Sequence, residues 1–68
     1  MLTEPSYTIN EFCACERISR GLLYTLWRTG RGPRFYQVGE YAHRRISHEA
    51  RLEWQQQREA AAQRELAA

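Results

Sequence analysis

The residues of this chain best able to do chemistry are its arginines. All ten of its basic side chains other than histidine are arginine, and there is no lysine. Seven of them, Arg17, Arg20, Arg28, Arg31, Arg34, Arg44 and Arg45, fall in the middle of the chain against a single acid, Glu40. The formal net charge of the whole chain is only +2, so the basic charge is concentrated rather than spread. The planar guanidinium forks onto paired acceptors such as phosphate oxygens or the edge of guanine. A basic centre followed by a near-neutral segment, in which Arg51, Arg58 and Arg64 alternate with Glu49, Glu53, Glu59 and Glu65, is an electrostatic footprint for a polyanion.

The spacing of these residues sharpens the expectation. Arg20, Tyr24 and Arg28 recur every four residues, the repeat of one helical face, while Leu22, Leu23, Leu26 and Trp27 fall on another. Such a helix has an apolar inside and a basic outside. Ser19 stands at its start, where backbone amides attract phosphate, and Arg20 beside it is the first choice for a forked contact to guanine. Tyr24 either donates its hydroxyl to a phosphate or covers the edge of the core. Arg44 and Arg45 are neighbours on an expected strand and point to opposite faces, so one at most meets a ligand squarely, and Arg44 is preferred.

Other chemistries fit poorly. Cys13-Ala14-Cys15 with His43 and His48 invites a zinc reading, but neighbours two apart on a helix point away from each other, and structural zinc sites usually space their cysteines by two to four residues. Two thiols so close on a helix do not bridge comfortably either, and small core side chains explain them better. The chain contains no Asp and no grouping of nucleophile, base and orienting residue. Gly30-Arg31-Gly32 is too short and follows a helix, so it is not a phosphate-binding loop. Trp27 and Trp54 sit among apolar residues at helical spacing and read as core anchors. The expectation is a binding protein, not an enzyme, with no cofactor and no metal.

The elements that must position these side chains are marked by caps and turns. Thr8-Ile9-Asn10-Glu11 has the form of a capping box, with Tyr7 and Phe12 placed to staple it, and predicts a helix from about Ile9 to Cys15. Ser19 repeats the pattern, with Ile18 before it and Leu23 four positions beyond. The two starts are eleven residues apart, the length of a helix-turn-helix unit. Gly30-Arg31-Gly32-Pro33 ends the second helix. Two extended runs, Arg34 to Val38 and Tyr41 to Ile46, flank a tip at Gly39-Glu40. Ser47 caps a third helix, with Glu49 in its first turn and Ile46, Ala50 and Trp54 along one face. From Gln55 onward the chain is polar and Ala-rich with little to bury, so its last turns are expected to fray.

Hydrophobic residues make up 43% of the 68, enough for one small core. Residues 1–6 are expected to be a flexible leader, 7–55 one domain, and 56–68 a helical extension. No apolar run approaches the roughly 18 residues that span a bilayer, and no signal peptide is apparent, so no membrane partner and a cytoplasmic location are expected.

The order Tyr7-Thr8-Ile9-Asn10-Glu11-Phe12, Ile18-Ser19-Arg20-Gly21-Leu22-Leu23-Tyr24, Gly30-Arg31-Gly32-Pro33-Arg34-Phe35, Val38-Gly39 and Ile46-Ser47-His48-Glu49-Ala50 resembles the small MerR-like winged-helix proteins. Phage and mobile-element excisionases and AlpA-type regulators are among them. The resemblance spans about Tyr7 to Trp54. It implies a mainly α-helical winged helix-turn-helix with a small β-hairpin, two short helices before the wing and one after it. The Ser19 helix would enter the major groove of double-stranded DNA. Ser19, Arg20, Tyr24 and Arg28 would face DNA from the helix, Arg34, His43, Arg44 and Arg45 from the wing, and Arg31 from the loop between them. Two residues depart from the family pattern. Arg17 occupies the corner where glycine is common, and Gly21 supplies no side chain where a polar one is frequent.

The function this implies is that of an excisionase, or recombination directionality factor. Such a protein binds repeats beside an attachment site, head to tail with neighbouring copies of itself, bends the DNA and directs an integrase toward excision. The roughly twenty residues after the wing are too few for the dimerisation helix and ligand domain of a MerR-type activator. An AlpA-type transcriptional regulator shares the same physics, and an interaction adaptor that docks through the third helix without DNA is the alternative from another class.

Overall fold

The computed structural model of the chain describes residues 6–39 and 43–67. In chain order the elements are strand β1 (Ser6–Thr8), helices α1 (Ile9–Glu16) and α2 (Arg20–Arg28), strands β2 (Tyr36–Val38) and β3 (His43–Ser47), and helix α3 (His48–Ala67). The fold is mainly helical, with a small antiparallel sheet of order β1-β3-β2.

Side chains close the helix starts. Thr8 Oγ1 accepts from the Glu11 amide at 3.1 Å while the Thr8 amide donates to Glu11 Oε1 at 3.0 Å, which completes the expected capping box. Ser19 Oγ accepts from the Leu22 amide, and Ser47 Oγ from the Ala50 amide, each at 3.0 Å. The ends of α1 and α2 are closed alike. After α1 the Ile18 and Arg17 amides donate to the carbonyls of Cys13 and Ala14; after α2 those of Arg31 and Gly30 donate to Leu26 and Trp27. Each closure needs one left-handed residue. At α2 it is Gly30, at φ 76°, but at α1 it is Arg17, at φ 59°, and a side chain there costs on the order of 1 kcal/mol.

The sheet differs from the expected hairpin. Its third member, β1, pairs antiparallel with β3 in the register Ser6↔Ser47, Tyr7↔Ile46 and Thr8↔Arg45, so β3 is central. On the other edge Tyr36↔Arg45, Gln37↔Arg44 and Val38↔His43 pair β2 with β3. β2 begins at Tyr36, two residues later than expected. The loop before it is committed elsewhere: Trp27 Nε1 donates to the Pro33 carbonyl and Trp54 Nε1 to the Arg31 carbonyl, both at 2.8 Å. The expected positions Glu40, Tyr41 and Ala42 lie outside the described residues.

The core consists of Phe12, Cys13, Leu23, Ile46, Ala50 and Trp54, with Tyr7, Ile9, Ile18, Leu26 and Trp27 packed around it. Phe12 and Trp54 meet edge to face, with centroids 5.4 Å apart. Leu22, expected on the buried face, is instead 44% exposed. The inward stripe of α2 runs through Leu23, Leu26 and Trp27, and Leu22 lies about 90° from its middle at 100° per residue.

A polar cluster fastens α3 to the front of the fold. Arg51 Nε donates to Glu16 Oε2 at 2.5 Å and its Nη1 to the Tyr7 hydroxyl at 3.1 Å. Gln55 Nε2 donates to the same Glu16 oxygen at 2.8 Å, and the Tyr7 hydroxyl lies 2.9 Å from His48 Nδ1. The Arg51 and Glu16 side chains are only 20% and 14% exposed. Hydrogen bonding to Glu16 holds the Arg51 guanidinium above its already high pKa. Beyond Gln55 the helix continues to Ala67, largely exposed. Among the described residues no helix is long and apolar enough to cross a membrane.

Candidate nucleic-acid interface

Side chains of α2 and β3 meet through Arg44, Tyr24 and Trp27, and two adjoining depressions open around them. One, of about 310 Å³, is lined by Thr8, Ile9 and Asn10 at the start of α1, by Arg20 and Tyr24 of α2, and by His43, Arg44 and Arg45 of β3. The other, of about 420 Å³, is lined by Tyr24, Trp27 and Arg28 of α2, by Phe35 and by Arg44. Tyr24 and Arg44 belong to both, so the two form one trough. Four arginines and a histidine line it, and among the described residues no carboxylate does. Uncompensated positive charge in a concave surface attracts and retains anions.

Each lining residue is held differently. Arg20 Nη1 donates to Asn10 Oδ1 at 2.7 Å, which leaves Nε and Nη2 for a ligand. Arg28 Nη2 reaches Thr25 Oγ1 at 3.3 Å, one turn back on its own helix. Arg44 shares its strand face with the fully buried Ile46, and its guanidinium carbon lies 4.5 Å from the Phe35 ring centroid, 4.9 Å from Trp27 and 5.7 Å from Tyr24. The rings themselves pack together, with Trp27 4.9 Å from Phe35 and 5.4 Å from Tyr24 between centroids. Arg45, on the opposite face of the strand, is half-buried between Thr8 and Tyr36, its partners in the two neighbouring strands.

Of the nine residues expected from sequence to face a ligand, six line this trough: Arg20, Tyr24, Arg28, His43, Arg44 and Arg45. Ser19 is exposed beside it with its hydroxyl occupied by the cap. Arg31 is exposed in the loop after α2, and its carbonyl anchors Trp54. Arg34 turns toward α3, where Nε donates to Glu53 Oε1 at 2.6 Å; that hydrogen bond raises its pKa. This pair is 63% and 46% exposed and contributes little to stability.

Five residues of the trough are not among the expected contacts: Thr8 and Ile9 at the start of α1, and Asn10, Trp27 and Phe35. Asn10 restrains Arg20 from ten residues away, and Trp27 and Phe35 form the aromatic wall around Arg44. Trp27 carries the signature of a core residue, and Phe35, expected within the first wing strand, lies in the loop before β2. The two cysteines face different surroundings: Cys13 is buried and Cys15 exposed. Burial pushes the Cys13 thiol above its ordinary pKa, and Arg20 offsets part of that rise. Among the described residues no three His, Cys, Asp or Glu side chains gather as metal ligands do.

Comparison with protein-family models, with curated proteins and with solved structures finds no match to this chain.

Proposed function

We propose that this chain is a winged helix-turn-helix protein that binds double-stranded DNA sequence-specifically. In this reading α2 enters the major groove and the β2–β3 pair serves as the wing. The observation that carries it is the trough itself: Arg20 and Arg28 from the helix and Arg44 from the strand converge on one concave surface, with Arg45 at its margin, and no carboxylate among the described residues lines it. A nine-residue helix is about 13 Å long, and the major groove, about 12 Å wide, admits one. One such helix reads one half-site, so useful affinity comes from neighbouring copies on closely spaced repeats. That arrangement fits an excisionase, which bends an attachment region and directs an integrase toward excision.

The test is titration of a fluorescent duplex at several salt concentrations. With Arg20 on a base edge, phosphate contacts by Arg28, Arg44 and Arg45 give a slope of log affinity against log salt of about −2.7, or about −1.8 if Arg44 reads guanine. No binding to any duplex at low salt would sink the DNA reading and favour the interaction adaptor. Arg20→Ala should lower discrimination between selected and random duplexes, and equal losses on both would show that Arg20 only positions. An excision assay with an integrase, should one be encoded beside this chain, then separates the roles. Promoter occupancy without any effect on excision would place the protein with the AlpA-type regulators.

A further inference from the structure

We infer that Arg44 is a preformed guanidinium fork for a pair of acceptor atoms on DNA, with Tyr24, Trp27 and Phe35 as the positioning residues that hold it. This rests on the DNA reading above and adds to it how one arginine of the trough works.

Among the described residues the arginines are restrained in different ways. Arg20, Arg28, Arg34 and Arg51 each give at least one N–H to a protein acceptor. Arg44 gives none to an acceptor among the described residues, yet it is half-buried, because three aromatic rings surround its guanidinium carbon at 4.5 to 5.7 Å. Among the described residues Arg45 also donates to no protein acceptor, but no ring covers it. Aromatic faces attract a cation without consuming its N–H donors, since a ring is at best a weak acceptor. The clamp therefore restricts a side chain that otherwise carries large rotamer entropy, and leaves its donors available. The clamp is itself anchored, because the Trp27 indole donates to the Pro33 carbonyl. Arg44 also sits where the two depressions join, so a ligand in either one meets it.

Two acceptor pairs fit such a fork: O6 and N7 of guanine, or two oxygens of one phosphate. A simple charge contact makes a different demand, because lysine satisfies it equally well.

The experiment measures binding of the full chain to a mixed-sequence duplex at low salt and to the same duplex with 7-deazaguanine, which lacks N7, in place of guanine. Arg44→Lys should bind about tenfold more weakly than the parent chain and within twofold of Arg44→Ala. Phe35→Leu, which keeps the charge and an apolar side chain, should lose severalfold in affinity with an unchanged salt slope. If guanine is the partner, the penalty of Arg44→Lys disappears on the deaza duplex; if phosphate is, the penalty is equal on both. In the free protein the clamp is read directly by NMR, as ring-current upfield shifts of the Arg44 side-chain protons that shrink in Phe35→Leu. Parent-like binding by Arg44→Lys, or unshifted Arg44 protons, overturns the inference and leaves the DNA reading standing. Failure of the parent chain to bind either duplex overturns both.

Discussion

Three glycine-to-alanine substitutions should change stability by amounts that differ in size and sign, because the same added methyl meets three different surroundings. At Gly32 a Cβ would press on Trp27 Cδ1 and lie 2.8 Å from Nε1 and 3.0 Å from Cγ. The indole has little freedom to retreat. It packs against Phe35 and Tyr24, touches Arg44 and donates to the Pro33 carbonyl. Overpacking costs about 1–3 kcal/mol and a lost hydrogen bond about 1 more, so Gly32→Ala should cost about 2–4 kcal/mol. At Gly30 nothing lies within 4 Å, but φ is +76°, and the cost is the left-handed penalty of about 1 kcal/mol. At Gly21, in the first turn of α2, the nearest atom is Ser19 Oγ at 3.9 Å; alanine there should stabilise by about 0.5 kcal/mol through helix propensity.

For 68 residues the entropy of unfolding is about 140 cal/mol/K, so 1 kcal/mol moves the midpoint by about 7 °C. Thermal melts followed by circular dichroism should show Gly32→Ala lower by about 14–28 °C, Gly30→Ala lower by about 7 °C and Gly21→Ala higher by about 3 °C. A Gly32→Ala midpoint no lower than that of Gly30→Ala would refute the wedged indole.

Arg17→Gly should raise the midpoint by about 3 °C, because relief of the left-handed strain slightly exceeds the extra chain entropy that glycine brings to the unfolded state. Glu16→Gln leaves the half-buried Arg51 without its carboxylate and should cost about 1–2 kcal/mol in urea unfolding, whereas Glu53→Gln, at the exposed Arg34 pair, should cost under about 0.5. A thiol reagent near pH 8 should label Cys15 quickly and Cys13 only as fast as the chain opens, since the thiolate is the reactive form and burial disfavours it. Folding raises the Cys13 pKa, so its contribution to stability is fully present below the ordinary thiol value of 9.0 and is lost as pH rises above it; Cys13→Ser should flatten that alkaline decline.

What was legible in the sequence was local. The Thr8–Glu11 box, the Ser19 and Ser47 caps and the closing turn at Gly30 each involve a side chain or a φ angle and amides within a few positions, so a short window contains both partners. β1 was not legible. It has three residues, too few for alternation to register, and its partner is about forty positions away. A separation of 35 positions likewise hides the bond from Arg51 to Glu16. The basic helical face was readable from the spacing of Arg20, Tyr24 and Arg28. The ring clamp on Arg44 was not, because Tyr24, Trp27 and Phe35 come together with it only through the packing of α2, the loop and β3.

Trp27 and Trp54 are the only two tryptophans of the chain, one on α2 and one on α3, and their indole N–H groups donate to carbonyls two residues apart in the loop leading to β2. The protein therefore contains its own optical gauge for that loop. Any displacement of the segment from 31 to 33 alters the polarity around at least one indole, so the wavelength of intrinsic emission follows the seating of the β2–β3 pair on the helices. Trp27→Phe and Trp54→Phe would divide the gauge into two channels, one reading the loop against α2 and the other against α3, with no added dye.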